Sequence, residues 1–155
     1  MDLGIYPLNA IRYITGEEPS EFTAVTSTMD KSAGRFIGIE ESMEWTMKFP
    51  SGIIASCGCS YGEQGPAFLE IHGDRGVLEV NPAYFYDGVH FRGQGRSGPF
   101  EESATGRHPY EFVLEAKHFA ACIRNNHEPK SPGAEGLKDL LAIEAIYRAA
   151  GNPIA

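Results

Sequence analysis

The stretch MEWTMKFPSGIIASCGCSY, residues 43–61, decides the fold of this protein. In its first half, apolar side chains alternate with polar ones, which is the pattern of a β-strand with one buried and one solvated face. The turn-forming residues Pro50-Ser51-Gly52 follow, and Ile53 to Tyr61 is a second strand-like run. The stretch therefore predicts a β-hairpin.

The same period of two continues on both sides of this hairpin. The further predicted strands are residues 22–28, 68–72, 76–80, 84–86 and 89–91. Short connections between successive strands predict a largely antiparallel meander. Residues 93–109 are rich in Gly, Ser and Pro and have no apolar period, so they are predicted to form a loop.

Three helices frame the predicted strands, each with an apolar stripe near the helical period. The first begins one or two residues after Asp2 and stops at Gly16. The second follows Pro109, and the third starts near Ser131-Pro132 and stops at Gly151. This order predicts one α+β domain over the whole chain: an open, mainly antiparallel sheet with helices packed on one face.

A single layer of helices leaves the other face of the sheet uncovered. If that face carries the aromatic side chains of the strands, we expect a second copy of the chain to cover it, giving a homo-oligomer such as a dimer. The alternative is an ordinary polar surface.

Composition excludes several classes of partner. The formal net charge of −8 repels phosphate backbones, and no basic stripe offsets it, so nucleic acid is not expected. No apolar run approaches the roughly 20 residues that span a bilayer, and residues 1–4 do not resemble a secretory signal. The three cysteines are an odd number, which favours reduced thiols in the cytoplasm.

Two short motifs are similar to a metal or redox pair and to a nucleotide-binding loop, but the residues in and around them argue against both functions. Cys57-Gly58-Cys59 lacks the two-residue spacer usual in zinc and redox pairs, and alternation would place both thiols on one face as small apolar groups. Residues 93–98, GQGRSG, match the dinucleotide fingerprint. That fingerprint requires a helix to follow it, whereas here Pro99-Phe100-Glu101-Glu102 follows. We predict neither a metal site nor a nucleotide site.

Residues 2–19, DLGIYPLNAIRYITGEEP, resemble the helix that opens the second domain of glucose–fructose oxidoreductase-like enzymes, a family that includes inositol and dihydrodiol dehydrogenases. Residues 71–78 resemble that family's sheet hairpin, and residues 115–123 and 136–147 resemble its last two helices. The resemblance covers nearly the whole chain.

This resemblance implies an NADP- or NAD-dependent oxidoreductase of sugars or polyols, with Asp2 and Tyr6 as catalytic residues. Tyr6 would donate or accept the proton of the substrate hydroxyl while hydride moves to or from the cofactor. A phenol with an ordinary pKa near 10 needs a neighbouring cation for this, and in the family a lysine of the nucleotide-binding domain supplies it. Asn9 is implied as a substrate-binding residue, and Arg12 as a substrate-edge or structural residue.

The family's nucleotide-binding domain has no counterpart in these 155 residues, which begin inside a family motif. The resemblance therefore implies a truncated oxidoreductase with no cofactor site of its own, inactive by itself, that contributes the substrate-side helix and the oligomerisation sheet. Whether it acts as an enzyme stays open at this point. The alternative is a non-catalytic module for carbohydrate binding or assembly.

Overall fold

Within the residues described by the computed structural model, 1–29, 34–65, 67–104 and 108–152, the chain forms three helices and seven strands. The elements are α1 (Ile5–Thr15), β1 (Glu21–Ser27), β2 (Ser42–Lys48), β3 (Ile54–Ser60), β4 (Leu69–Gly73), β5 (Gly76–Val80), β6 (His90–Gly95), β7 (Gly98–Ser103), α2 (Tyr110–Asn125) and α3 (Gly133–Ala149). The predicted α+β class with open antiparallel pairing is confirmed, and the strands divide into two sheets. Residues 1–63 with 131–155 form one compact unit, and residues 64–130 form another.

The first unit contains a sheet in the order β1-β2-β3, with both pairs antiparallel. The predicted hairpin is confirmed, since Trp45 on β2 pairs with Cys57 on β3 and Ala24 on β1. Its turn requires the glycine at position 52, where φ is +91°. The alternation in residues 43–49 thereby points one set of side chains into the core and the other to solvent.

The core of this unit lies between one face of the sheet and helices α1 and α3. Its buried members are Leu8, Met43, Trp45, Met47, Phe49, Cys57, Ala142 and Ile146. Both helices therefore pack on the same face of this sheet, as predicted. Complete burial of a Leu, Met or Phe side chain contributes about 2 kcal/mol of hydrophobic free energy, so this core accounts for much of the unit's stability.

Each helix boundary has a local cause. Helix α1 ends where Gly16 adopts a left-handed conformation and its N–H donates to the Arg12 carbonyl at 3.0 Å. Helix α2 begins directly after Pro109 and α3 directly after Pro132, as predicted. Among the described residues, no helix combines the length and apolar character needed to cross a membrane.

The second unit contains a four-stranded antiparallel sheet in the order β4-β5-β6-β7. Two predictions here are wrong. Residues 84–86 are not a strand. Most of the predicted loop over residues 93–109 forms the β6–β7 hairpin, and α2 begins after it at position 110. Residues 105–107 of this segment lie outside the described part. Gly93 contributed to the second wrong prediction, because a glycine usually weakens a strand. Here it is needed in β6, since the Cβ of any larger residue would lie 2.7 Å from Phe100 Cε1.

Candidate functional site

The two predicted catalytic residues lie at the N-terminal end of α1. Tyr6 is in the first turn of the helix and its side chain is half-exposed. Asp2 lies in the turn that precedes α1 rather than inside the helix. Its carboxylate accepts a hydrogen bond of 2.8 Å from the hydroxyl of Tyr61, which follows the end of β3.

Asp2 and Tyr61 border a shallow, solvent-open cleft in the first unit. The residues that line it are Met1, Asp2, Leu3, Glu40, Glu41, Cys59, Ser60 and Tyr61. Three of these are carboxylic acids, so the cleft offers hydrogen-bond acceptors to a ligand rich in hydroxyl groups.

A second hydrogen-bonded group lies beside the cleft. The Tyr147 hydroxyl donates to Glu40 Oε1 at 2.6 Å, and the amino group of Met1 contacts both Glu40 and Tyr147. Burial alone would raise the pKa of Glu40, but the hydrogen bonds from Met1 and Tyr147 outweigh it and hold that pKa below its ordinary value. Burial, reinforced by Glu40, raises the pKa of Tyr147, so this phenol stays protonated.

The two predicted substrate-binding residues both contact helix α3. Asn9 Nδ2 donates to Asp139 Oδ2 at 2.9 Å, and the Arg12 guanidinium forms an ion pair with Asp139 Oδ1. Asp139 is itself buried. This contact fastens α1 to α3 and fixes the direction in which α1 presents its N-terminal end.

Arg12 is surrounded by carboxylates. Besides Asp139, it donates to Glu18 at 2.7 and 2.8 Å and to Glu135 at 3.0 Å. The hydrogen bonds with Glu18 are the strongest cause of a raised Arg12 pKa, with burial opposing them and Asp139 adding to them. The same contacts lower the pKa of Glu18. Of the two roles implied for Arg12, these contacts support the structural one.

Four residues of this region were missed by the sequence analysis: Tyr61, Glu40, Asp139 and Tyr147. Each makes a contact with a residue far away in the sequence, for example the Asn9–Asp139 contact across 130 positions. The alternation that predicts β3 extends to Tyr61, but a period of two carries no information about which side chain a distant residue will meet.

The GQGRSG motif of residues 93–98 forms the β6–β7 hairpin. Its first two glycines, Gly93 and Gly95, lie in β6, whereas Gly98 begins β7 with φ at +112°, and β7 continues to Ser103. A dinucleotide site needs a helix N-terminus at this point to direct amide groups at the pyrophosphate. A strand occupies that place, so these residues do not fit NAD or NADP, as their context in the sequence had indicated.

Cys57 and Cys59 lie on the same face of β3 and contact the core, as predicted from alternation. Burial raises the pKa of Cys57 to about 12, with the charge of Glu44 as a lesser cause. Burial also raises the pKa of Cys59. A thiol in this state is a poor nucleophile and a poor metal ligand. The described residues contain no group of three or more His, Cys, Asp or Glu side chains arranged to hold a metal ion.

Comparison with known proteins gives one consistent result. Residues 1–154 match the family model described as "Oxidoreductase family, C-terminal alpha/beta domain". The solved structure of aldose-aldose oxidoreductase from Caulobacter crescentus, complexed with glycerol, superposes with a TM-score of 0.86 and 40% sequence identity. That alignment covers 96% of this chain and 44% of the Caulobacter chain.

Two curated relatives agree with this match. The chain is 27% identical to a D-xylose 1-dehydrogenase [NADP(+)] of Haloarcula marismortui, over 96% of this chain and 41% of that protein. It is 26% identical to a D-apiose dehydrogenase of Paraburkholderia graminis, over 96% of this chain and 42% of that protein. The chain thus spans less than half the length of each of these relatives.

Proposed function

Because this chain belongs to the oxidoreductase family defined by that C-terminal alpha/beta domain, we propose that it is the substrate-side domain of an NAD(P)-dependent sugar or polyol oxidoreductase. The observation that carries the proposal is the N-terminal end of α1, where Asp2 lines an acidic cleft and the half-exposed phenol of Tyr6 follows four positions later in the sequence. A phenol and a carboxylate are suited to moving and orienting the proton of a sugar hydroxyl.

In the proposed reaction, Tyr6 exchanges a proton with the substrate hydroxyl at its phenol oxygen. Asp2 accepts a hydrogen bond from the substrate and keeps that hydroxyl in place. NAD or NADP, when bound, supplies the hydride chemistry, and the β-hairpin of residues 93–98 does not offer a site for its pyrophosphate. We propose that a cation of the nucleotide-binding partner domain lies beside Tyr6 and assists this proton exchange.

Asn9 and Arg12 take supporting parts in the proposal. The Asn9 amide has two donors and one acceptor oxygen, and Asp139 occupies one donor, so Asn9 retains groups that can meet a substrate. Arg12 is almost completely buried and acts through the helix, holding α1 against α3 so that Tyr6 and Asp2 are presented together.

The proposal predicts that the 155-residue polypeptide does not turn over by itself, because a cofactor site supplied by another domain cannot be improvised. Purified chain would be mixed with NADP or NAD and with D-xylose, D-apiose or glycerol, and cofactor reduction would be followed by absorbance. No reduction is expected. Steady reduction by the chain alone would contradict this part of the proposal.

The catalytic assignment is tested by pairing the chain with a separately produced nucleotide-binding domain of the Caulobacter relative. In any pairing that turns over, Tyr6→Phe should lower kcat by about 100-fold or more, as loss of an acid–base group does. Tyr13→Phe is the matched control, since it makes the same change on the same helix at a side chain that is 86% exposed. Equal activity of the two variants would exclude Tyr6 as the acid–base group.

We further propose that the outer face of the β1-β2-β3 sheet mediates self-association. Val25 and Ile54 are each 66% exposed on this face, although both are apolar. Sedimentation equilibrium should show a dimer or larger oligomer. Val25→Lys should weaken it, whereas Met29→Lys, at an even more exposed apolar residue beyond the end of β1, should not. A monomeric wild-type chain would refute this assignment.

The three thiols, which are all unpaired, support a reducing, cytoplasmic setting as part of the same proposal. The rival function, a carbohydrate-binding or assembly module without catalysis, is distinguished by Trp45. It is the sole tryptophan, and its indole lies against Gly4 at the start of α1. Sugar binding that changes its fluorescence, together with no activity in any pairing with a nucleotide-binding domain, would favour the rival.

A further inference from the structure

Tyr61 makes a contact that the proposed catalytic pair does not explain. Its hydroxyl donates to Asp2 Oδ2 at 2.8 Å, and the two residues are 59 positions apart in the sequence. We infer that Tyr61 is a positioning residue, which holds the Asp2 carboxylate at the cleft so that its second oxygen faces the substrate. The inference rests on the proposed function, because Tyr61 acts only through Asp2.

Tyr61 is itself held in place, through its backbone and through its ring. Its backbone N–H donates to the Glu41 carbonyl at 3.0 Å, which fixes the chain just beyond β3. The Phe36 ring stacks on the Tyr61 ring with centroids 6.4 Å apart and planes inclined by 27°. The Arg35 guanidinium lies 5.2 Å from the centroid of Phe36. A donor that is fixed in this way holds its acceptor at a lower entropic cost than a free side chain would.

The hydrogen bond engages only one of the two carboxylate oxygens of Asp2, which is why it matters for a ligand. A carboxylate has two oxygens and accepts several hydrogen bonds. With Oδ2 engaged by Tyr61, the rotation of the Asp2 carboxylate is restricted, and Oδ1 remains to accept from a sugar hydroxyl. The geometry required for a directed contact is therefore established before the substrate arrives.

The charges around Tyr61 keep it in the donor state. The hydrogen bond to Asp2 is the largest cause of a raised Tyr61 pKa, and the charges of Asp2, Cys59 and Glu40 act in the same direction. A phenol in this environment stays protonated at neutral pH and cannot serve as the base. This separates Tyr61, a permanent donor, from Tyr6, the proposed proton-exchanging residue.

The contact is tested by titrating the phenols of the whole chain and subtracting the titration of Tyr61→Phe. The Tyr61 pKa should lie above its ordinary value of 10.0, and Asp2→Asn should lower it toward that value. Tyr13→Phe should leave the Tyr61 titration unchanged. A Tyr61 pKa that does not respond to Asp2→Asn would overturn the inference, whatever the chain binds.

The consequence for a ligand is tested by two-dimensional NMR titration with D-xylose and glycerol. Wild-type chain should show shifts at residues 2 and 6, and Tyr61→Phe should weaken the affinity by about five-fold, the loss expected for one orienting hydrogen bond. Equal affinity in Tyr61→Phe, with the fold intact by thermal melting, overturns the positioning role and leaves the proposed function standing. Absence of binding to wild-type chain overturns both, even if the phenol titration confirms the hydrogen bond.

Discussion

Asn9 on α1 donates a hydrogen bond of 2.9 Å to Asp139 on α3, and the other oxygen of the same carboxylate holds Arg12. One buried acid of the last helix therefore engages both α1 residues that the resemblance assigned to the substrate. The consequence is mechanical: α1 cannot turn about its axis without breaking contacts with a carboxylate that has little access to water.

Arg12→Met should strongly destabilise the fold. It leaves Asp139, which is 6% exposed, without its cation, and removal of one partner of a buried ion pair costs about 3 kcal/mol. The free energy of unfolding, measured by urea titration with circular dichroism, reports the loss. Lys138→Met is the matched control, because Lys138 pairs with Glu18 and Glu135 of the same cluster from an exposed position.

The control should lose far less stability than Arg12→Met, since exposed ion pairs are weakened by water and salt. Equal losses in the two variants would mean that Arg12 is not the buried centre of the cluster.

Gly93→Ala should disrupt the second sheet. Its Cβ would lie 2.5 Å from Phe100 Cζ and closer still to the carbonyl oxygen of Val77, and overpacking of this kind costs about 2 kcal/mol. Gly95→Ala, two residues along the same strand, should change stability by less than about 0.5 kcal/mol, because the nearest atom to its Cβ would be 3.9 Å away.

Thermal melting of the two glycine variants separates a packing role from a phosphate-binding role. A Gly93→Ala variant that melts like the wild type would contradict the packing role, and loss of NADP binding in both variants would indicate a phosphate-binding role.

Glu44→Gln should raise stability at neutral pH. Burial, with the charge of Glu63 as a second cause, raises the Glu44 pKa above its unfolded value. A group of this kind contributes stability that is present at low pH and lost as the pH rises through its folded pKa. The advantage of the Gln variant should therefore grow from about pH 4 to pH 7, and it should be small because the side chain is partly exposed to solvent.

Melting temperatures across this pH range test the prediction. Glu102→Gln, a change of the same kind on an exposed stretch of β7, is the matched control for the substitution itself. A Glu44→Gln variant that is less stable than wild type at pH 7 would show that the carboxylate is favoured in the fold.

Cys57 should resist alkylation in the folded chain. With its pKa raised to about 12, only a very small fraction is thiolate at about pH 8, and the thiolate is the reactive form. Iodoacetamide followed by peptide mass spectrometry should label Cys57 slowly in the native chain and rapidly in guanidinium. Rapid native labelling of Cys57, with Cys59→Ser present to remove its neighbour, would contradict the burial of this thiol.

Local rules were sufficient for much of the fold. Alternation in residues 43–49 predicted which side chains of β2 are buried, and Gly16 and the prolines before α2 and α3 marked helix boundaries that the structure has. The same rules failed at β6 and β7. Glycine lowers the strand propensity of a sequence, yet at Gly93 the neighbouring strand and the Phe100 ring leave space for nothing larger.

The residues of the candidate site also fall into two groups, those that the sequence indicates and those that only the tertiary structure brings together. The opening motif was enough to single out Asp2, Tyr6, Asn9 and Arg12, because they are close together in the sequence and share one helix and the turn before it. Tertiary structure alone decided that Tyr61 meets Asp2 and that Asp139 meets Asn9 and Arg12, across separations of 59, 130 and 127 positions. Periodicity records which face of an element is apolar; the partner of a polar side chain depends on how separate elements pack, which no local pattern encodes.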